Sequence, residues 1–351
     1  MNHWKRSIIV LSAVAMLSGL SMVEARADSL DGPPQIAGLQ FGNSAISVSG
    51  VDFATVSVSV RLTDQDGVIG AEVSVDSATG GRTYELIPLT LALGTANDGW
   101  WTGTFYVGSL DNGQLRVSNI EAYDTQQNEL SADPAASGFD PRMTVTGSDP
   151  PSLSAGFSSS LITYGDAVWF KGRLTHKNTG APWAGIPITV YGGDDPCCPA
   201  FKRVRTNSDG YWGAYFGAGG GVPSVALPLA QQLGAVITGP PDAFAKNFRV
   251  AENWKWPNVR VRVWATMTQS SIRLGGTTTI WGSVAPSANT AELQRLVSGV
   301  WKTVVAARVH STGRYYLTAH PPIRGYLRYR VYIPTYSMLG NTTKTLILHV
   351  Y

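Results

Sequence analysis

Four histidines lie beyond the first 27 residues, His176, His310, His320 and His349, and no two stand at a spacing suited to sharing a metal ion. The HExxH, CxxC, GxSxG and phosphate-loop patterns are all missing. Gly217 to Gly221 is glycine-rich, but no lysine and helix follow it, so it reads as a loop rather than a phosphate cradle. Carboxylates are frequent only in the first third of the chain, where any two could be paired arbitrarily as glycosidase acids. No nucleophile, base and orienting group can be assembled, so no catalytic residue and no enzymatic activity are expected.

Three features remain that could carry chemistry or binding. Asp64 and Asp66 sit in a turn, and Asp124 stands near the end of a later strand. Hard oxygen ligands at one end of a sandwich could hold Ca²⁺ weakly, whereas aspartate also favours turns simply by bonding its own backbone, and the turn role is preferred. Beyond that weak calcium candidate no cofactor is expected. Cys197 and Cys198 are adjacent and are the only cysteines in the chain. They could form a vicinal disulfide, bond another chain, or remain thiols; the flanking Pro196 and Pro199 stiffen the turn and favour the vicinal ring. Trp254 and Trp256 precede Pro257 in a polar segment and could grip a sugar or a partner, or pack one module on the next. Trp169, Trp212, Trp281 and Trp301 fall inside strand patterns, where core or cross-strand packing is the expectation.

The elements that would position these residues are strands. Val56 to Leu62 and Val259 to Trp264 alternate strictly, the period of a half-buried strand, and Leu86 to Leu93 and Leu346 to Val350 are further candidates. Turn clusters separate them, including Thr79-Gly80-Gly81, Asn97-Asp98-Gly99, Asp111-Asn112-Gly113 and Asn207-Ser208-Asp209-Gly210. Beyond the N-terminal apolar stretch, only Leu227 to Leu233 suggests a helical turn. Ser160 to Gly172 lies over Ser270 to Gly282 without a gap, at an offset of 110 residues. A period of that size fits one immunoglobulin-like sandwich and is too long for a solenoid repeat. The reading is all-β: a signal peptide over 1–27, then sandwiches over 28–147, 148–262 and 263–351, with Pro150-Pro151 stiffening the first linker.

At the N-terminus Lys5 and Arg6 precede an apolar stretch from Ser7 to Val23, and Ala25-Arg26-Ala27 offers a cleavage site. Export with cleavage after Ala27 is expected, an uncleaved anchor being the alternative. A cleaved chain would be extracellular, surface-associated in some settings, and would span no membrane.

The second module resembles carboxypeptidase-regulatory-like and related bacterial Ig-like domains, through Gly172-Arg173-Leu174, Thr179 to Val190 and Thr206 to Trp212. The third is similar to repeats of secreted actinobacterial proteins, through Ala291 to Arg295, Gly299-Val300-Trp301 and Tyr329-Arg330-Val331. The first looks like another Ig-like type, through Thr63 to Val68, Asp98 to Thr104 and Ala122-Tyr123-Asp124. The resemblance implies stalks, spacers or adhesive units and no particular ligand.

Charge gives the clearest lead. The whole chain carries +3, but residues 28–147 hold 15 acids and 4 arginines, a net of −11. Residues 148–262 carry +4, and residues 263–351 carry +8 with Glu292 as their one acid. The basic end suits an anionic envelope polymer or polysaccharide, with Arg314, Arg324, Arg328 and Arg330 as candidate contacts and no nucleic-acid role expected. Alternatives are a structural spacer that associates head to tail and a carbohydrate-active enzyme with unrecognised carboxylates.

Overall fold

In the computed structural model, residues 32–77, 83–192, 200–216, 233–237, 239, 248–286, 288–335 and 338–351 are described. The apolar N-terminal stretch, the Thr79-Gly80-Gly81 turn, Cys197 and Cys198, and Leu227 to Gln232 lie outside them. Among the described residues no helix is long and apolar enough to cross a membrane. The helical turn suggested at Leu227 to Leu233 is not borne out at its one described residue, since Leu233 opens a buried strand.

The first sandwich contains β1 (Gln35–Phe41), β2 (Ala45–Ser49), β3 (Phe53–Thr63), β4 (Val68–Ser77), β5 (Thr83–Gly94), β6 (Asp98–Gly108), β7 (Gly113–Asp124), β8 (Glu129–Ala132) and β9 (Arg142–Ser148). Alternation explains its core: Val56, Val58, Val60 and Leu62 of β3 point inward and are at most 1% exposed, while Ser57, Ser59 and Arg61 point out. One layer runs β1-β3-β6 and the other β4-β7-β9-β2. Strand β5 joins them, pairing β4 through its first half and β6 through its second. A short 3-10 turn, Ser109–Asp111, occupies part of the turn expected at Asp111-Asn112-Gly113.

The second contains β10 (Pro151–Leu153), β11 (Gly156–Phe157), β12 (Ile162–Thr163), β13 (Val168–His176), β14 (Pro187–Gly192), β15 (Ala200–Arg205), β16 (Tyr211–Phe216), β17 (Leu233–Ile237), β18 (Ala251–Lys255) and β19 (Val259–Arg260). The third contains β20 (Arg262–Met267), β21 (Ser271–Ile272), β22 (Thr278–Ala285), β23 (Thr290–Val297), β24 (Val300–Arg308), β25 (Arg314–Ala319), β26 (Gly325–Ile333), β27 (Asn341–Thr342) and β28 (Leu346–Val350).

All three share one wiring. The opening strand pairs antiparallel with the next long strand, which pairs in turn with a later one: β1-β3-β6, β10-β13-β16 and β20-β22-β25. A second short segment crosses to the other layer and runs parallel to the closing strand: β2 with β9, β12 with β19 and β21 with β28. This split first strand and the two-layer order define three tandem immunoglobulin-like sandwiches. The strand expected over Val259 to Trp264 is divided: β19 closes the second sandwich, Val261 is buried, and β20 opens the third. Continuous alternation cannot reveal that its two halves belong to different sheets.

The gapless repeat has a structural cause. Ile162 and Ile272 are buried on the parallel segments, Gly165 and Gly275 adopt φ of +81° and +85°, and Phe170 and Ile280 are fully buried. Gly172 lies beside the Trp212 ring and Gly282 beside the Tyr315 hydroxyl, each on the adjacent strand. A Cβ at either would stand 1.8 or 1.9 Å from a backbone carbonyl, that of Ser154 or of Trp264.

The cores of the first two sandwiches are continuous, whereas the third forms a separate cluster. Phe248 of the second, fully buried, packs on Phe53 and Tyr106 of the first at ring separations of 6.2 and 5.8 Å. At the first linker, His176 Nδ1 meets Asp149 Oδ2 at 2.6 Å and its ring stacks on Trp183 at 4.0 Å. The Trp183 ring in turn lies against Gly50, whose φ of +59° and lack of a side chain admit it.

Candidate binding surfaces

The three aspartates converge on one end of the first sandwich, because β3-β4 and β7-β8 turn there. Asp64 Oδ1 accepts from the amides of Asp66 and Gly67 at 2.9 and 2.7 Å, closing the turn between β3 and β4. Asp124, fully buried, accepts from the amides of Gln126 and Asn128 at 2.8 Å each through Oδ1 and from Asn128 Nδ2 at 2.7 Å through Oδ2. Burial alone would raise its carboxyl pKa, but these donors outweigh burial and hold it below the usual range. Asp66 is tied to the same loop by the Gln126 side chain. These carboxylates organise turns. Among the described residues, no group of three or more His, Cys, Asp or Glu is arranged to hold a metal ion.

Trp254 and Trp256 part company. Trp254 belongs to β18, donates to Glu252 at 2.8 Å and covers Gly234 of β17, whose missing side chain makes room for the ring. Trp256 follows the strand and is 64% exposed.

The four candidate arginines fall on two different layers. Arg328 and Arg330 project from alternate, outward positions of β26, with Arg324 exposed just before it. Arg330 donates to Gln294 at 2.9 Å, and its guanidinium lies 4.5 Å from the centre of the Trp301 ring. Alongside, Tyr326 is 75% exposed and stacks on His349 at 4.6 Å. Arg314 stands on β25 in the opposite layer and does not join this group.

That opposite layer displays a second group of outward residues. On the outer face of β20-β22-β25, Trp264 and Trp281 meet edge to face at 5.3 Å and are 50% and 38% exposed. Tyr316 pairs with Trp281 across the ladder and Arg314 with Ser283. The corresponding face of the second sandwich carries Trp169 against Tyr215 at 5.2 Å, Lys171, and Arg173 at 5.2 Å from the Tyr211 ring. Of the four tryptophans expected in core or cross-strand packing, Trp212 is the core residue, Trp169 and Trp281 pack across strands on outward faces against Tyr215 and Trp264, and Trp301 lies beneath Arg330. Parity carried the signal: Val168 and Phe170 are inward, so Trp169 cannot be.

No protein-family model matches the sequence, and no curated protein does. Among solved structures, the chain is similar to the N-terminal eight Ig domains of Down Syndrome Cell Adhesion Molecule, at 12% identity and a TM-score of 0.30, covering 92% of this chain and 37% of that one. It is similar to a tandem from titin at 9% identity and 0.24, covering 90% and 98%. It is also similar to E. coli alpha-2-macroglobulin at 9% and 0.24, where it covers 87% of its own length and spans 24% of that chain.

Proposed function

We propose that this chain is an exported, non-catalytic binding protein whose third sandwich docks on an anionic polymer of the cell envelope. The observation that carries the reading is the outward pair Arg328 and Arg330 on β26, with Arg324 beside them, in a segment whose single acid is Glu292. Alternate positions on a strand stand about 7 Å apart, so the pair offers two cations along one line. Gln294 and Trp301 hold Arg330 in place, reducing the side-chain freedom lost on binding. The −11 charge of residues 28–147 is repelled by the same polymer, which favours engagement through the basic end.

Adsorption of the full chain to teichoic-acid-bearing cell walls tests this. Binding should weaken sharply between about 0.05 and 0.5 M salt as the Debye length shrinks, and the Arg328→Ala/Arg330→Ala variant should bind at least about tenfold more weakly. Adsorption indifferent to salt and to the substitutions rejects electrostatic docking. A second reading, head-to-tail association, draws on the same asymmetry between −11 and +8. Salt-sensitive, concentration-dependent sedimentation would favour it.

A further inference from the structure

We infer that the outer faces of β13-β16 and of β20-β22-β25 are stacking surfaces for the sugar rings of an acidic polysaccharide, distinct from the arginine pair on β26. The inference rests on the reading of this chain as a binder of anionic envelope polymers, and names where and how the sugar is held.

Three observations carry it. First, the aromatic rings are displayed rather than covered: on the third sandwich Trp264, Trp281 and Tyr316 share one outward face, and Trp169 and Tyr215 form a pair on the second. Cross-strand ring pairs stabilise a sheet by themselves, but several rings gathered on one exposed face also offer a contiguous apolar surface of the kind that marks binding sites. The C–H face of a pyranose ring packs well on such a surface, because weakly positive C–H groups meet the electron-rich ring face.

Second, the charges at the outward strand positions are basic, although Arg262 at the start of β20 is paired with Asp166. The outward positions of β20, β22 and β25 hold arginine, threonine, serine and alanine beside the rings, and those of β13 and β16 hold Lys171 and Arg173; none is acidic. Few cations interspersed with hydroxyl groups and rings match a chain bearing about one carboxylate per sugar. They are too sparse for the dense phosphates of nucleic acid.

Third, the surface recurs while its positions do not. Under the 110-residue repeat, Trp169 aligns with Thr279 and Lys171 with Trp281, and the matching turn places Tyr211 at Arg314 and Gly213 at Tyr316. A packing requirement of the fold would return the same residue types to the same positions, as Gly172 and Gly282 do. Here the chemistry returns at shifted positions. The equivalent face of the first sandwich carries a single ring, Trp100 across from Arg61 and over Gly38, beside a Ser59–Thr102 hydroxyl contact, and its arginine is spent in the Arg61–Asp98 ion pair.

Titration of the full chain with polygalacturonate oligomers, followed by tryptophan fluorescence and calorimetry, tests the inference. Trp264→Ala/Trp281→Ala and Trp169→Ala/Tyr215→Ala should each weaken binding about tenfold at unchanged melting midpoint, Trp281→Phe should retain it, and neutral dextran should bind at least about tenfold more weakly. Arg328→Ala/Arg330→Ala should lose cell-wall adsorption yet keep most polygalacturonate affinity, so the two surfaces fail separately. Absent polygalacturonate binding, or binding unchanged in both aromatic variants, overturns the inference. So does equal affinity for poly(dT), which would assign the faces to nucleic acid, or self-association abolished by the same substitutions, which would assign them to a protein partner.

Discussion

Single residues in this chain are constrained mainly by backbone geometry. Gly172 and Gly282 have ordinary φ angles, so their requirement is purely steric: a methyl group at either would meet a carbonyl oxygen closer than any real contact. Gly172→Ala and Gly282→Ala should each destabilise their own sandwich by about 2 kcal/mol or more, read as a lower denaturation midpoint. Asp124 is the other demanding position, a buried carboxylate fully occupied by loop donors. Asp124→Ala should lower the melting midpoint of the first sandwich by several degrees. In the parent chain, excess Ca²⁺ and EDTA should give the same midpoint; a rise with Ca²⁺ would make Asp64, Asp66 and Asp124 ligands after all.

At the scale of elements, cross-strand neighbours decide the outcome. Glu72 of β4 sits directly opposite Glu121 of β7, and partial burial, the hydrogen bond with Glu121 and its repulsion raise the Glu72 pKa. A raised carboxyl pKa stabilises the fold below the ordinary glutamate value, and the contribution is lost as pH climbs through the raised one. Glu72→Gln should therefore raise the melting midpoint at pH 7 and bring little or no gain near pH 4; equal gains at both would contradict the pairing. Elements of this kind were legible in the sequence where one face is apolar, as in β3 and β28, and where a glycine marks a required turn, as at Gly165 and Gly275. Two kinds of information were not. The split of Val259 to Trp264 between sheets depends on pairing partners far along the chain. The separation of Arg314 from Arg328 and Arg330 depends on which layer each strand joins. Cross-strand packing of Trp169 and Trp281 followed from their place in strands, and their outward direction follows from parity with the buried Val168, Phe170 and Ile280.

Across the whole molecule, the continuous core of the first two sandwiches and the separate core of the third predict how the chain comes apart. Calorimetry should show the first two melting together and the third apart. Phe248→Ala, which removes the ring packed on the Phe53–Tyr106 pair, should cost about 3–5 kcal/mol and split the shared transition. Persistence of one coincident transition in the variant would show that other contacts, such as Trp183 on Gly50, suffice to couple the two.

The parallel pairing of the split first strand with the closing strand has a mechanical meaning. When a sandwich is pulled by its ends, those two segments slide along each other and their hydrogen bonds are loaded together in shear instead of opening one at a time. The first sandwich has five residue pairs in this position, Ala45 to Ser49 against Thr144 to Ser148, and the second and third have two each. A chain held at one end by a surface and tugged at the other should yield in its basic and middle sandwiches first, with the acidic one resisting to the highest force. Single-molecule stretching should record two weaker ruptures before a stronger one.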